Sequence, residues 1–352
     1  MHDEVCLAIK NRSGIGKNLA ANSLVAPIFS ILDIELRERQ TVAMHNRILQ
    51  FGTSRFLQAH ADLFVHEARS GGQNIGPITV VKTTRGGVRD GRIAGFQEGQ
   101  GFPVHLRGTT GGQIVDTVTH VTSVVRGLDA NADWQSVKRI FAQETEIVIS
   151  NVGELGYEFS AEENSLETPP ASFPGKLLAL LQHRFEINAA SLLILPCELV
   201  SNNGQVLRRI LNELCEIWSV SDSFKAWFAN EVMICSTLVD RIVSEAIHPV
   251  GAIGEPYGLW AIKREPGFVP PLQHPCIIYT DDLEPFLRLK LHILNLGHTY
   301  LAQIWQNEKR HADETVFEIL NDASVKNRLL SLYHDEVIVG FAARNMREHS
   351  ER

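Results

Sequence analysis

Short apolar runs set the pattern of the chain from Arg47 onward. Ile48–Phe51, Ile78–Lys82, Glu146–Ser150 and Leu192–Leu195 are each predicted to form a buried strand. Helical or turn patterns occupy the stretches between them. Short apolar strands that alternate with helices are typical of a parallel sheet covered on both faces, so the sequence predicts an α/β fold.

An insertion interrupts this alternation. Val104–Arg107 and Ile114–Val125 flank Gly111 and Gly112, a pattern that predicts an antiparallel hairpin or meander. After Gly204 the pattern becomes mainly helical. We therefore expect an N-terminal extension of residues 1–46 with no assigned role, a Rossmann-like domain over residues 47–225, and a mostly α-helical second domain over residues 226–352.

Composition and charge narrow the class of protein. With 44% hydrophobic and 21% charged residues the chain is globular, and its net charge of −8 disfavours a nucleic-acid partner. Five cysteines without a C-x-x-C pair indicate neither a disulfide framework nor structural zinc, which favours a cytoplasmic location. The acidic start MHDEVC is unlike a signal peptide, and no apolar run is long enough to span a membrane. The oligomeric state stays open.

The first strand ends in a turn of the kind that binds phosphate. Gly52 closes the strand and a helix is predicted from Ser54, so helix N–H groups are available to a pyrophosphate. A full G-x-G-x-x-G would need glycine at Ser54 and Leu57, and an ordinary strand-to-helix turn is the alternative. No acid follows the strand that ends at Lys82, and Lys82 or Arg85 could accommodate a 2′-phosphate, so the choice between NAD and NADP stays open.

A second candidate site is a polar group on an apolar helix. Phe286–His298 is apolar nearly all round, which predicts a buried helix. Asn295 and His298 lie about 140° and about 80° around the axis from Lys290. A desolvated lysine serves as a general acid or base, and a neighbouring amide stabilises an oxyanion. The alternative is a lysine that reaches solvent, a capping amide and a histidine of the core.

Five ordered motifs carry a family resemblance. From Arg47 to the C-terminus the chain resembles the polyol-specific long-chain dehydrogenases, the group of mannitol dehydrogenase and the hexuronate reductases. The last motif is similar to that family's catalytic K-x4-N-x2-H. The motifs are ILQFGTSRFLQAH (residues 48–60), SNVGELGY (150–157), PCELVSNNG (196–204), STLVDRIV (236–243) and Lys290-x4-Asn295-x2-His298.

The resemblance implies a function and a set of roles. The expected reaction is hydride transfer between NAD, with NADP left open, and a hexuronate ketone, in the branch that interconverts tagaturonate and altronate. Lys290 would be the general acid/base, Asn295 the oxyanion donor and His298 a binder of substrate hydroxyls, with no metal. The alternatives are mannitol 2-dehydrogenase or fructuronate reductase activity, and an inactive dinucleotide-binding relative. The implied cofactor-binding residues are Phe51, Gly52, Thr53, Ser54, Arg55, Phe56, Asn151 and Glu154.

Substrate binding is where the chain departs from the family pattern. A sugar acid carries a carboxylate, and Arg241 and Arg288 are the candidate cations, although a structural ion pair is the favoured interpretation of Arg241. Leu199 stands where mannitol dehydrogenases place a substrate-binding asparagine, so Glu198 or Asn203 would take its role. Compared with the family pattern, the second domain of this chain is expected to be shorter.

Overall fold

The structure is a computed structural model that describes residues 46–84, 90–97, 99–159 and 168–343. Nearly all of the predicted N-terminal extension lies outside these residues, as does Arg85. The described chain forms two compact units, a first unit that ends at Asp281 and a second unit that starts at Asp282.

The first unit contains both strands and helices. Its strands are β1 (Asn46–Phe51), β2 (Ile75–Lys82), β3 (Phe102–Thr110), β4 (Gln113–Val121), β5 (Val124–Asp129), β6 (Ile147–Ser150), β7 (Leu192–Pro196), β8 (Val232–Ile234), β9 (Thr237–Asp240), β10 (Val243–Ala246), β11 (Ala252–Gly254), β12 (Leu259–Lys263) and β13 (Ile277–Thr280). Its helices are α1 (Arg55–Gln58), α2 (Ala61–Ser70), α3 (Asp90–Gln97), α4 (Trp134–Gln143), α5 (Phe173–Ile187), α6 (Asn203–Ile217) and α7 (Asp222–Glu231), with a 3₁₀ turn at Glu154–Tyr157.

A six-stranded parallel sheet organises the first unit. Its strand order is β5-β2-β1-β6-β7-β8, and every neighbouring pair is parallel. Taken in chain order, these strands follow the 3-2-1-4-5-6 arrangement of a doubly wound sheet, whose switch point lies between β1 and β6. The four predicted strands and the α/β fold class are therefore confirmed.

The sheet separates two apolar cores. Successive side chains of a strand point to opposite faces, so Leu49 and Phe51 of β1 join the core under α4 to α7, and Ile48 joins the core under α1 to α3. Because both faces are covered, residues 48–51 of β1 are all buried, which is why apolar side chains occur on both faces of this strand.

The predicted hairpin is confirmed and belongs to a larger accessory sheet. β3 and β4 pair antiparallel along their whole length, and β11 pairs with β3 on its other side. The order of this sheet is β10-β11-β3-β4, and a third sheet has the order β13-β12-β9. The pairing of β3 with β11 ties residues near 105 to residues near 253, a connection that local patterns do not encode.

The boundary between the units differs from the predicted one. A division at residues 225 and 226 falls inside α7, and the following segment adds β8 to the main sheet before forming β9 to β13. The regular structure that follows α7 within residues 226–281 thus consists of strands, and this segment belongs to the first unit. The strand β8 is three residues long, which is too short to show a clear period. The apolar spacing in Leu238–Val243 is also compatible with a helix, so the sequence pattern favoured helices where the structure has strands.

The second unit is helical, as predicted. Its elements are α8 (Glu284–Leu289), a π-helical turn (Lys290–Asn295), α9 (Leu296–Asn307), α10 (Val316–Ile319), α11 (Ala323–Ser331), a second π-helical turn (Leu332–Val337) and α12 (Ile338–Ala343). Its core consists of buried residues from α9, α10 and α11: Leu301, Ile304, Ile319, Val325 and Leu329. No helix in the described parts of the chain combines the length and apolar character needed to cross a membrane.

The predicted burial of the Phe286–His298 segment is largely wrong. The helix exists, yet α8 and the first π-helical turn contain no buried residue, and Leu291 is 46% exposed. In this segment Gly297 is the buried position, at the start of α9. The apolar pattern identified a helix correctly, whereas burial depends on which neighbours pack against it.

Candidate functional site

The turn between β1 and α1 requires the glycine that ends the first strand. Gly52 has a φ of +114°, a conformation that side chains rarely adopt. A Cβ at this position would collide with the carbonyl oxygen of Asn151, which follows β6. Gly52 therefore allows the loops after β1 and β6 to approach each other at the switch point of the sheet.

A chain of hydrogen bonds joins three loops at the carboxyl ends of the strands. Ser54 caps α1 by accepting from the Leu57 amide at 3.2 Å, and its hydroxyl donates to Asn151 Oδ1 at 3.1 Å. The Asn151 amide in turn donates to the Cys197 carbonyl at 2.7 Å. The structure thus brings together Ser54 and Asn151, which lie 97 positions apart in the chain.

A buried carboxylate supports the same region. Glu198 is 2% exposed and accepts hydrogen bonds from Ser150 Oγ at 3.1 Å, Tyr157 Oη at 2.9 Å and the Val152 amide at 3.1 Å. Burial raises the pKa of Glu198, and these hydrogen bonds oppose that rise. Glu198 therefore holds the loop that carries Asn151. The sequence signal for this cluster was polar residues at the carboxyl ends of adjacent parallel strands.

The remaining predicted cofactor-binding residues differ in how far their side chains are buried. The side chain of Phe51 is in the core, where its ring meets Phe173 edge-on at 5.3 Å. Thr53 is buried, and its carbonyl accepts from Gln58 at 3.3 Å and from Arg92 at 3.0 Å. Arg55 is exposed and Phe56 is partly buried, whereas the side chain of Glu154 lies outside the described residues.

The turn fits a dinucleotide. Gly153 has a φ of +90°, and no atom of the described residues lies within 4 Å of the position that its Cβ would take. Together with the small residue Ser54 and exposed Arg55, this leaves room and a cation at the carboxyl edge of the sheet. In doubly wound sheets, ligands bind in the crevice at the switch point.

Lys82 was a candidate for binding a 2′-phosphate after the second strand. Its amino group lies 2.8 Å from the Asp129 carboxylate, and its side chain is 2% exposed. This ion pair joins neighbouring strands β2 and β5.

Asn203 does not supply a substrate-binding amide. It is fully buried, and its amide donates to the carbonyls of Pro196 at 3.0 Å and Glu198 at 3.1 Å. Its oxygen accepts from the amides of Gly204 and Thr237, both at 2.8 Å. Both donors and both acceptor positions of the side chain are used, so Asn203 links β7, α6 and β9.

Arg241 is held by backbone oxygens. Its guanidinium donates to the carbonyls of Ala59 at 2.5 Å, Tyr257 at 3.1 Å and Pro256 at 3.2 Å, and it lies 5.0 Å from the centre of the Phe64 ring. The side chain is 7% exposed. A structural role for Arg241 therefore agrees with the geometry, and the Cys276 thiol and the Glu67 carboxylate also interact with the guanidinium.

The second unit places Lys290 and Asn295 at the two ends of a π-helical turn. In such a turn, hydrogen bonds run between residues five positions apart, so Asn295 follows Lys290 by about one turn of the helix. In a regular α-helix the two residues would lie about 140° apart. The widened turn aligns them more closely than the sequence predicted, and π-helical turns occur frequently at functional sites.

His298 is held in one tautomer. Its Nδ1 lies 2.9 Å from the Leu294 carbonyl, and because a carbonyl oxygen only accepts, Nδ1 carries the proton. In the neutral ring Nε2 is then an acceptor for a hydroxyl. On the same helix, Arg288 pairs with Glu284 at 2.7 Å, one turn earlier.

No three side chains of His, Cys, Asp or Glu within the described ranges are grouped to hold a metal ion. The candidate groups are an amine, an amide and an imidazole on one helix of the second unit, and a glycine-containing turn in the first unit.

The doubly wound sheet and its glycine turn define a protein with a Rossmann-type domain. Residues 46–269 match the family model described as the mannitol dehydrogenase Rossmann domain. Because this match covers well over half of the chain, the chain belongs to the mannitol dehydrogenase family.

Curated relatives carry the name altronate oxidoreductase. That of Halalkalibacterium halodurans is 31% identical over 279 residues, which is 72% of this chain and 54% of the relative. That of Bacillus subtilis is 27% identical over 317 residues, which is 83% of this chain and 64% of the relative. The chain thus spans between half and two thirds of the length of these relatives.

Two solved structures share the fold. D-sorbitol dehydrogenase in substrate-free form has a TM-score of 0.69 at 19% identity and covers 86% of this chain and 69% of its own. The ternary complex of Pseudomonas fluorescens mannitol 2-dehydrogenase with NAD and D-mannitol has a TM-score of 0.68 at 18% identity, with coverage of 88% and 69%. At these identities the likeness establishes the fold.

Proposed function

We propose that the protein is an NAD-dependent oxidoreductase that interconverts a hexuronate ketone and its alcohol, with tagaturonate and altronate as the substrate pair. The observation that carries the proposal is the family match over residues 46–269, together with relatives named altronate oxidoreductase. The motif Lys290-x4-Asn295-x2-His298 supports it further, with Lys290 and Asn295 at the ends of a π-helical turn and His298 in α9.

The first unit would hold the cofactor. The turn at Gly52, Ser54 and Arg55 would bind the pyrophosphate, and the neighbouring loop at Asn151 would line the site. The bound dinucleotide supplies the hydride. The measurement of NADH and NADPH binding described below decides whether the protein also uses NADP.

The second unit would handle the proton and the substrate oxygen atoms. Reduction of a ketone develops negative charge on oxygen, which the Lys290 amine would protonate and the Asn295 amide would stabilise. His298 would accept a hydrogen bond from a substrate hydroxyl at Nε2, since its Nδ1–H group donates a hydrogen bond to the Leu294 carbonyl. Arg241 and Arg288 were the cations predicted to bind the substrate carboxylate. Arg288 would take this role, because it lies on the same helix as Lys290 and because Glu284, with which it forms an ion pair, is half exposed.

The test is a substrate panel with both reduced cofactors. Tagaturonate, fructuronate and fructose are offered with NADH or NADPH, cofactor oxidation is followed by absorbance, and cofactor binding is measured in parallel. We expect the highest kcat/KM with tagaturonate and NADH. Turnover of fructose alone would replace the hexuronate proposal with a mannitol 2-dehydrogenase activity. Cofactor binding without turnover of any substrate would identify a non-catalytic relative.

The assigned role of Lys290 has its own test. Lys290→Ala is expected to lower kcat by at least about 10²-fold with little change in NADH affinity, because general acid/base groups contribute about 10²–10⁴. Lys326→Ala removes an exposed lysine of α11 and serves as the control. A Lys290→Ala enzyme as active as the control would refute the role.

A further inference from the structure

Side chains hold the end of the π-helical turn. Three successive carbonyls, those of Ile293, Leu294 and Asn295, accept hydrogen bonds from Tyr333 Oη at 2.7 Å, from His298 Nδ1 at 2.9 Å and from Thr299 Oγ1 at 2.9 Å. Two of these donors come from α9 itself. Tyr333 comes from the second π-helical turn, 40 positions along the chain.

The Tyr333 hydroxyl reaches Ile293 because residue 297 is glycine. Gly297 is buried at the start of α9, and a Cβ there would overlap the Tyr333 hydroxyl oxygen while lying 3.4 Å from Cζ. Burial raises the pKa of the Tyr333 phenol, so the hydroxyl keeps its proton and remains a donor at neutral pH. Tyr333 and Gly297 therefore form one contact, which a Cβ at residue 297 would disturb.

This contact lies between the groups assigned to chemistry. Ile293 falls between Lys290 and Asn295, and Gly297 directly precedes His298. The widened turn determines how far around the axis Lys290 lies from Asn295 and His298. A bond from another helix to the middle of this segment restrains the turn against relaxing to a regular α-helix.

We propose that Tyr333 is a positioning residue, which holds the π-helical turn through the Ile293 carbonyl and so sets the mutual orientation of Lys290, Asn295 and His298. The inference rests on the proposed function for its effect on catalysis. The restraint on the turn itself is measurable without any substrate.

Two single variants and their combination test it in the full chain. Tyr333→Phe removes the hydroxyl and keeps the ring, while Gly297→Ala keeps the hydroxyl and displaces it. Each is expected to lower kcat at least about tenfold with the KM for NADH unchanged, because small misplacements of reacting groups are costly. Each is also expected to change the shape of the pH–kcat profile, because the geometry of the groups assigned to proton transfer changes. A role in stability alone would leave kcat per folded molecule and this profile unchanged.

The double variant gives the sharpest outcome. Without the hydroxyl, the methyl group that Gly297→Ala introduces finds Cζ of the ring at an ordinary contact distance of 3.4 Å. Gly297→Ala should therefore cost activity in the Tyr333 protein and almost none in the Tyr333→Phe protein, which is strong coupling between the two sites. Additive losses would overturn the proposed contact.

Hydrogen exchange separates this inference from the proposed function. Amides of residues 291–298 are expected to exchange at least about tenfold faster in both single variants, because local opening of the turn becomes easier. If the wild-type chain turned over no substrate, the proposed function would fail while this exchange result still tested the restraint. Unchanged exchange, or unchanged kcat and pH profile in an active enzyme, would refute Tyr333 as a positioning residue.

Discussion

Ser54 uses a single hydroxyl for two hydrogen bonds. It accepts from the Leu57 amide as the cap of α1 and donates to Asn151 across the switch point of the sheet. Glycine would permit a closer approach of phosphate at this position, yet it has no group to hold the loop after β6. The departure from G-x-G-x-x-G thus has a structural explanation.

Ser54→Ala should weaken both stability and cofactor binding. Loss of an N-cap costs roughly 1 kcal/mol of unfolding free energy, and loss of the bond to Asn151 releases the neighbouring loop. Ser221→Ala is the matched control, since Ser221 caps α7 by accepting from Phe224 at 3.2 Å. The unfolding free energy measured with denaturant should fall for both variants, whereas NADH affinity should fall for Ser54→Ala alone. Equal NADH affinities would remove Ser54 from the site.

Asp62 is a buried acid in the core beneath β1. It is fully buried, with the neutral amide of Gln50 as a polar neighbour, and burial raises its pKa well above the ordinary value of 3.8. The folded state therefore retains the proton to higher pH than the unfolded state does. The contribution of Asp62 to stability is complete below pH 3.8 and is lost as the pH rises through the raised pKa.

Asp62→Asn should accordingly raise the unfolding temperature at pH 8 relative to wild type, and the difference should shrink toward pH 4. An amide mimics the protonated acid and does not ionise. Asp281→Asn, at a side chain that is 81% exposed, is the control and should show no such pH-dependent gain. A constant difference across this pH range would contradict the assignment of a raised pKa.

At the scale of elements, the turn from β1 to α1 depends on the positive φ of its glycine as well as on the absence of a side chain there. Gly52 combines a positive φ with close contact to the Asn151 carbonyl. Two elements that are far apart in sequence, β1 and β6, meet at this point because they are neighbours in the sheet. The glycine is thus explained by the packing of the loops, with or without a cofactor.

Gly52→Ala should lower the unfolding free energy by roughly 1–3 kcal/mol, the usual cost of a strained backbone position, and should abolish measurable NADH binding. Gly72→Ala is the control for φ alone, because Gly72 has a φ of +84° and no described atom within 4 Å of the Cβ position. Denaturant titration and NADH fluorescence measure both effects. A Gly52→Ala protein that binds NADH normally would place the cofactor elsewhere.

At the scale of the whole molecule, the chain combines a first unit with a doubly wound sheet and a second unit built of helices. The proposal assigns cofactor binding to the first and proton transfer to the second. The two functions can therefore be measured separately, because each depends on residues within one unit.

NADH at about 100 times its Kd should stabilise the folded chain by about 2.7 kcal/mol, as expected for a ligand that binds only the folded state. The unfolding temperature should rise, and hydrogen exchange should slow in residues 52–58 and 151–153. Lys290→Ala should retain this stabilisation in full. Loss of the shift in that variant would mean that Lys290 contributes to cofactor binding.

Much of the architecture followed from local pattern. The strands around Ile48, Ile78, Ile147 and Leu192 have apolar runs long enough to identify them, because both faces of a parallel sheet are buried. The motif of Lys290, Asn295 and His298 was recognisable because its residue types are uncommon on an apolar helix. The strands β8 to β13 were missed, because the apolar spacing after Gly204 favoured helices.

The amino-acid sequence by itself determined the parallel α/β fold, the helical second unit and membership in the family, because periodicity and motif order are properties of the linear chain. Only the tertiary structure decided that Asn203 and Arg241 are bound within the scaffold, that Ser54 meets Asn151, and that Tyr333 reaches the turn between Lys290 and Asn295. These are contacts between residues up to 182 positions apart. Hydrogen bonds and burial depend on distance in space, which spacing along the chain does not encode.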